Sequence, residues 1–354
     1  MLKPSSCSGD QALVSFYVES LLATAERAAE AQQAKQREQM IEFYARDDLH
    51  RFEDFWRMST GEGASNARVI MKKLAQLTPF WARSLVPTDF ALLAVAKKFP
   101  NFKQPIEYIR RAAALARLCA GPLNLSPMLI SGQPGIGKSA FSRALAAALN
   151  VPMLSFSMTQ STASFSLGGL NAQYSSGGPG YLVRSLADLG VPDPVIVVDE
   201  IDKAATESSH DPTAPMYELL EETTAARFVD DGLQMPLNLS ALRWICTCND
   251  PGLVAEPLRS RCIEFEVPAP TRKQMGDIAA AVYRDLIAAG GWSSHFEAEL
   301  PASVREELAD DVPRDLARSL RNALGAAALE GRRAICCADI QVVRRPARPR
   351  VGFV

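Results

Sequence analysis

The run Gly132-Gln133-Pro134-Gly135-Ile136-Gly137-Lys138-Ser139 constrains this chain more than any other feature, because it satisfies G-x-x-x-x-G-K-[ST] at every fixed position. An apolar stretch, Met128-Leu129-Ile130-Ser131, leads in, and a helical pattern over residues 141–149 leads out. That context makes the loop a phosphate cradle. Its glycines allow close backbone approach in conformations closed to residues with a Cβ. Its N–H groups and the positive end of the next helix converge on the anion. Lys138 adds a mobile cation for the β and γ phosphates, and the Ser139 hydroxyl is a hard oxygen ligand suited to Mg2+. The candidate nucleotide-binding residues are therefore Gly132, Gln133, Pro134, Gly135, Ile136, Gly137, Lys138, Ser139 and the adjoining Ala140.

A second signal lies downstream, where Val195-Ile196-Val197-Val198 runs directly into Asp199-Glu200. An uninterrupted apolar strand fits a sheet covered on both faces. Carboxylates at its C-terminal end lie on the edge where open α/β sheets bind ligands. Asp199 is expected to share Mg2+ with Ser139, and Glu200 to orient and polarise an attacking water. Taken alone, the pair also fits a solvated strand end, with Asp202 and Lys203 close by.

The surrounding pattern agrees with a parallel α/β sheet. Apolar stretches at 127–131, 152–157, 195–198, 244–247 and 263–267 alternate with helical segments. Residues 1–100 read as helical, with no strand signal. They comprise residues 11–40 with an Ala/Glu/Gln/Arg-rich run at 23–38, and an aromatic-rich amphipathic segment at 40–58. A break at Thr60-Gly61-Glu62-Gly63 follows, then helices over 66–81 and 87–98, with Pro100 as a boundary. Residues 271–343 are helical again, and 344–354 form a basic tail containing Pro346 and Pro349.

Composition excludes several function classes. The 38 Lys and Arg against 40 Asp and Glu leave a net charge of −2, which disfavours an overall basic nucleic-acid binder. At 47% apolar and 22% charged the chain is globular, not disordered. No apolar run approaches the ~18 residues that span a bilayer. The polar start carries no signal-like segment, so a cytoplasmic placement without membrane association is expected. Seven cysteines without metal spacing read as reduced thiols. His50, His210 and His295 are too dispersed for a histidine metal site or triad.

Together these residues resemble the AAA+ ATPase superfamily, and within it the ATPase module of Lon-type proteins. Val195 through Lys203 resembles the Walker B strand with its trailing Ile-Asp-Lys. Ile245-Cys246-Thr247-Cys248-Asn249-Asp250 resembles the sensor-1 strand, with Asn249 near the γ-phosphate. Pro257-Leu258-Arg259-Ser260-Arg261-Cys262-Ile263-Glu264 resembles the arginine-finger segment, with Arg261 as the finger. Pro313-Arg314-Asp315-Leu316-Ala317-Arg318 resembles the start of the sensor-2 helix. Leu316, Leu320 and Leu324 mark its core face, and either Arg314 or Arg318 is available as the sensor, with Arg314 favoured by the motif.

The resemblance implies ATP as the nucleotide, Mg2+, and four parts. These are an N-terminal helical region (1–100) for a partner or substrate, an AAA+ core (101–270), a helical lid (271–343) and the tail. It also implies a ring, most often a hexamer, because a finger acts on a neighbour's nucleotide. The segment 102–109 is the place to look for the base pocket, by fold analogy.

Between the nucleotide motifs, Gly168 through Gly180 resembles the Lon pore loop, in which a tyrosine grips extended polypeptide. Tyr174 and Pro179-Gly180 match it, while Ser175 and Ser176 replace an apolar-Gly pair. Tyrosine supplies the bulky amphipathic ring such a grip needs. Lon-type proteins continue into a Ser–Lys peptidase domain, and none is expected after the lid here. The expectation is an ATP-driven remodeller of a protein client without its own peptidase. The alternatives are a DNA-associated loader, with Arg321, Arg332, Arg333, Arg344 and Arg345 as its basic channel, and a nucleotide-set scaffold recruiting through its N-terminal helices.

Overall fold

The structure is a computed structural model of the 354-residue chain. It describes residues 39–159, 163–171, 174, 177–204 and 211–341, with backbone alone at 163, 164 and 341. All but the last two residues of the helix expected over 11–40, and the basic tail, lie outside the described residues.

Nine strands are described: β1 (Met40–Glu42), β2 (Phe80–Ala82), β3 (Met128–Ser131), β4 (Met153–Ser157), β5 (Val195–Asp199), β6 (Phe228–Val229), β7 (Pro236–Leu237), β8 (Arg243–Cys248) and β9 (Ile263–Glu266). Five of them form the central sheet in the order β4-β5-β8-β3-β9, and every neighbouring pair is parallel. These are the five apolar stretches predicted from sequence. The continuous apolar character of β5 follows from burial on both faces. Ile196 and Val198 join Leu129, Trp244 and Cys246 in one hydrophobic cluster. Val195 and Val197 join Met128, Ile130 and Ile245 in another.

Residues 39–100 differ from the all-helical expectation. β1 and β2 pair antiparallel, with Ile41 opposite Trp81. Three-residue strands are too short to show a period, and this pairing is specified by distant packing: Phe43 stacks on Trp81 with ring centroids 3.7 Å apart. Helices Arg46–Met58 and Glu62–Gln76 follow the broken amphipathic pattern, and the second stops before Thr78 and Pro79.

The boundary expected at Pro100 does not separate two cores. Phe43, Trp56, Ile70 and Leu74 pack into the same cluster as β5 and β8. Leu92 and Val95 of helix Asp89–Lys98 pack with Ile106, Phe141 and the other sheet face. Direct ties reinforce this, including Trp56 Nε1 to the Leu233 carbonyl at 2.9 Å and Asn238 N to the Phe43 carbonyl at 2.8 Å.

A buried ionic cluster fastens the ribbon to the sheet's lower edge. Asp193, fully buried, accepts from Arg243 Nη2 at 2.8 Å and from the Ser84 amide and hydroxyl at 2.9 and 2.8 Å. Arg83 lies 3.9 Å from the same carboxylate. Burial, first of all, pulls both guanidinium groups below their ordinary pKa.

The lid has its own core. Helix Arg272–Ala289 opens with a capping box between Thr271 and Gln274 and packs on helix Pro313–Leu329. Leu316, Leu320 and Leu324 are buried there, as their spacing predicted. Lys98 pairs with Asp285 at 2.8 Å, joining core to lid. Among the described residues no helix is long and apolar enough to cross a membrane, and the six described cysteines are all free.

Candidate nucleotide site

The loop after β3 is built as its glycines require. Gly137 has φ 104° and opens helix Lys138–Ala148. At Gly132 (φ 153°) a Cβ would stand 2.5 Å from the Val267 carbonyl oxygen, so the loop can press against the end of β9 only with glycine there.

Most of the side chains singled out from the sequence collect around a cavity of about 820 Å³ between sheet edge and lid. Pro134 through Ala140, Asp199, Glu200, Asn249 and Arg314 all line it. Gly132 and Gln133 sit behind, and their carbonyls accept from Lys138 Nζ at 2.6 and 3.3 Å. Lys138 also donates to Asn249 Oδ1 at 2.9 Å. Burial lowers its pKa, while Asp202, Asp199 and Glu200 act in the opposite sense.

Ser139 Oγ donates to Asp199 Oδ1 at 3.2 Å, and Thr247 Oγ1 donates to the same oxygen at 2.9 Å. A hydroxyl beside a carboxylate is the hard oxygen set that Mg2+ selects, and among the described residues no thiol or imidazole lines the cavity, so the residues fit that ion. Asn249 is held from behind, because Asp202 Oδ2 accepts the amides of Asn249 and Asp250 at 3.1 and 3.3 Å.

The two lid arginines part company. Arg314 lines the cavity, whereas Arg318 is exposed and pairs with Asp315 at 2.9 Å. Arg261 stands apart from its own cavity, bonded to the Pro257 carbonyl at 2.6 Å and to Glu221 at 3.4 Å. Tyr174 is also remote. It lies 64% exposed in a turn closed by the Leu170–Gly178 bridge. Of the arginines considered for DNA, Arg332 is committed to Asp339 and Glu330, both at 2.7 Å.

Residues 102–109, where fold analogy looks for the base pocket, do not line this cavity. Phe102 is fully buried and stacks on Phe141 at 4.5 Å, behind the cavity wall. Lys98, Phe99 and Asn101 line the cavity instead, together with Ile136 and the lid residues Ile278, Ala281 and Val282. Phe99 reads in sequence as one more core aromatic. Only the turn between helices Asp89–Lys98 and Lys103–Leu118 brings it to the nucleotide side. Thr247 and Ser157, which also line the cavity, carried no sequence signal of their own.

The profile of the family described as "ATPase family associated with various cellular activities (AAA)" matches residues 128–269. Lon protease 4 of Sorangium cellulosum is 29% identical over 277 residues, covering 75% of this chain and 34% of that protein. The Lon protease of Desulfovibrio desulfuricans is 31% identical over 159 residues, covering 45% and 18%. The mitochondrial Lon protease homolog of Homo sapiens is 35% identical over 130 residues, covering 37% and 14%. At most about a third of each of these three relatives is therefore spanned. A RuvB variant of Thermotoga maritima aligns with TM-score 0.45 and 16% identity over 68% of each chain. Residues 128–269 thus match the AAA ATPase family profile, and the chain is similar in sequence to the ATPase region of Lon proteases.

Proposed function

We propose that this ATPase works as one subunit of a ring, most simply a hexamer, that remodels a protein client, with Arg261 completing the site of a neighbour. One observation carries the reading. Lys138, Ser139, Asp199, Glu200, Asn249 and Arg314 converge on a single cavity, while Arg261 points elsewhere on the same chain.

The roles follow from placement. The loop amides and Lys138 bind the phosphates, and Phe99, Ile136 and Ile278 offer an apolar slot for adenine. Ser139 and Asp199 would hold Mg2+, which supplies charge neutralisation across the phosphates. Glu200 orients the attacking water, and Asn249 and Arg314 meet the charge that develops on the transferred group. Arg261 adds a cation from the adjacent subunit, a contribution on the order of 10³ to 10⁵ in rate where fingers of this kind act. The exposed Tyr174 gives the client contact.

ATP turnover against protein concentration tests this. Specific activity that rises with concentration, and falls in Arg261→Ala, supports a shared site. Turnover that is independent of concentration and indifferent to Arg261→Ala overturns it.

A further inference from the structure

We propose that Thr247 is the positioning residue for Glu200, holding the water-orienting carboxylate where β5 ends. The inference deepens the proposed function and rests on Glu200 having that role. The β5–β8 ladder runs in parallel register from Val195 opposite Arg243 to Val198 opposite Cys246. One residue further, Thr247 of β8 stands beside Asp199, and the regular pairing stops. Glu200 then turns into the left-handed region, φ 57° and ψ 47°, which a side chain with a Cβ rarely adopts. Such a conformation persists only where the surroundings hold it.

The Lys203 amide donates to the Glu200 carbonyl at 2.9 Å, and the Thr247 hydroxyl is the side chain that holds Glu200 from the neighbouring strand. Its Oγ1 accepts the Glu200 amide at 3.2 Å and donates to Asp199 Oδ1 at 2.9 Å. One proton and one lone pair are thereby used in complementary directions. Thr247 is 2% exposed, so water is a poor substitute for either bond. Two residues on, just past the end of β8, Asn249 meets Lys138. A single strand end therefore sets the carboxylate pair with one side chain and touches the phosphate-binding lysine with another. Valine matches threonine in shape and lacks both bonds, whereas serine keeps them.

The experiment compares Thr247→Val and Thr247→Ser, each alone and combined with Glu200→Gln. It reads ATP turnover and, separately, the affinity for a slowly hydrolysed fluorescent ATP analogue. The expected result is a fall of about tenfold or more in kcat for Thr247→Val, with analogue affinity within about threefold of wild type. Thr247→Ser should recover most of the rate. In the Glu200→Gln background, Thr247→Val should change the residual rate by less than about twofold, because the hydroxyl acts through Glu200. Thr247→Ala gives the same reading should valine disturb folding.

Full turnover in Thr247→Val beside an inactive Glu200→Gln overturns the proposal. So does a loss of analogue affinity that matches the loss of rate, which would make Thr247 part of the binding pocket alone. Wild-type turnover in Glu200→Gln instead removes the underlying role of Glu200.

Discussion

Lys138 and Asn249 meet at 2.9 Å across the gap between the loop after β3 and the end of β8. With the Gly132 and Gln133 carbonyls also accepting from Nζ, all three ammonium donors are engaged within the site. A γ-phosphate must draw at least one of them away, and Asn249 is the partner free to turn toward the phosphate as well.

Asn249→Ala is therefore expected to lower kcat by about 10²-fold, the scale of losing one preorganised hydrogen bond to developing charge. The affinity for ATP should change much less. Steady-state kinetics beside an equilibrium binding titration separates the two. An equal loss in both would make Asn249 a ground-state ligand.

Phe99→Ala should weaken ATP binding about tenfold, in keeping with the loss of an aromatic wall worth roughly 1 kcal/mol or more. Its kcat at saturation should stay close to wild type, since an apolar ring in the cavity wall offers no group to the reacting phosphate. Nucleotide titration checks this, and unchanged affinity would place the base elsewhere.

Asp193→Ala should destabilise the fold by about 3–5 kcal/mol, because it leaves the buried Arg243 and the half-buried Arg83 without their carboxylate. Urea unfolding measures the difference. A change below about 1 kcal/mol would mean that the cluster contributes little beyond its packing.

Asp230 gives a pH signature. Burial pushes its carboxyl up to about 7, opposed by backbone N–H bonds from Gly180, Leu233 and Gly232. The folded pKa thus lies above the unfolded value near 4. Any stability linked to its protonation is fully present below about pH 4 and is lost as pH rises through about 7. Relative to Asp230→Asn, the wild-type protein should be less stable at pH 8 than at pH 5. Urea midpoints of both proteins at the two pH values test the sign, and a pH-independent difference would contradict it.

Tyr174→Ala should reduce unfolding of a tagged client far more than it reduces ATP turnover. A client-unfolding assay run beside an ATPase assay reads the ratio. Parallel changes in both would remove the grip assigned to Tyr174.

Local chemistry made the centre of this site legible in sequence. The phosphate loop, the acidic strand end and five apolar strands each announce themselves within ten residues, and the Leu316–Leu320–Leu324 stripe does the same for the lid. The less legible features depend on where distant segments pack. Phe99 and Asn101 reach the cavity only through the turn between two helices. Ile41 meets Trp81 because the intervening helices fold back onto the sheet. For the same reason Pro100 marks a break in pattern without marking a break in the core. Thr247 was visible only as one residue of the sensor-like strand, since its partners are a backbone amide and a carboxylate on another strand.

The most direct test of a shared site is to mix two inactive variants. In a ring, Arg261→Ala keeps a complete site but lacks a finger to give, while Glu200→Gln keeps the finger but lacks its own water-orienting group. The account predicts little ATP turnover from either alone and a recovered rate, up to about a quarter of wild type, in a mixture whose subunits exchange. A mixture no more active than the sum of its parts, under conditions where exchange is demonstrated, would contradict it.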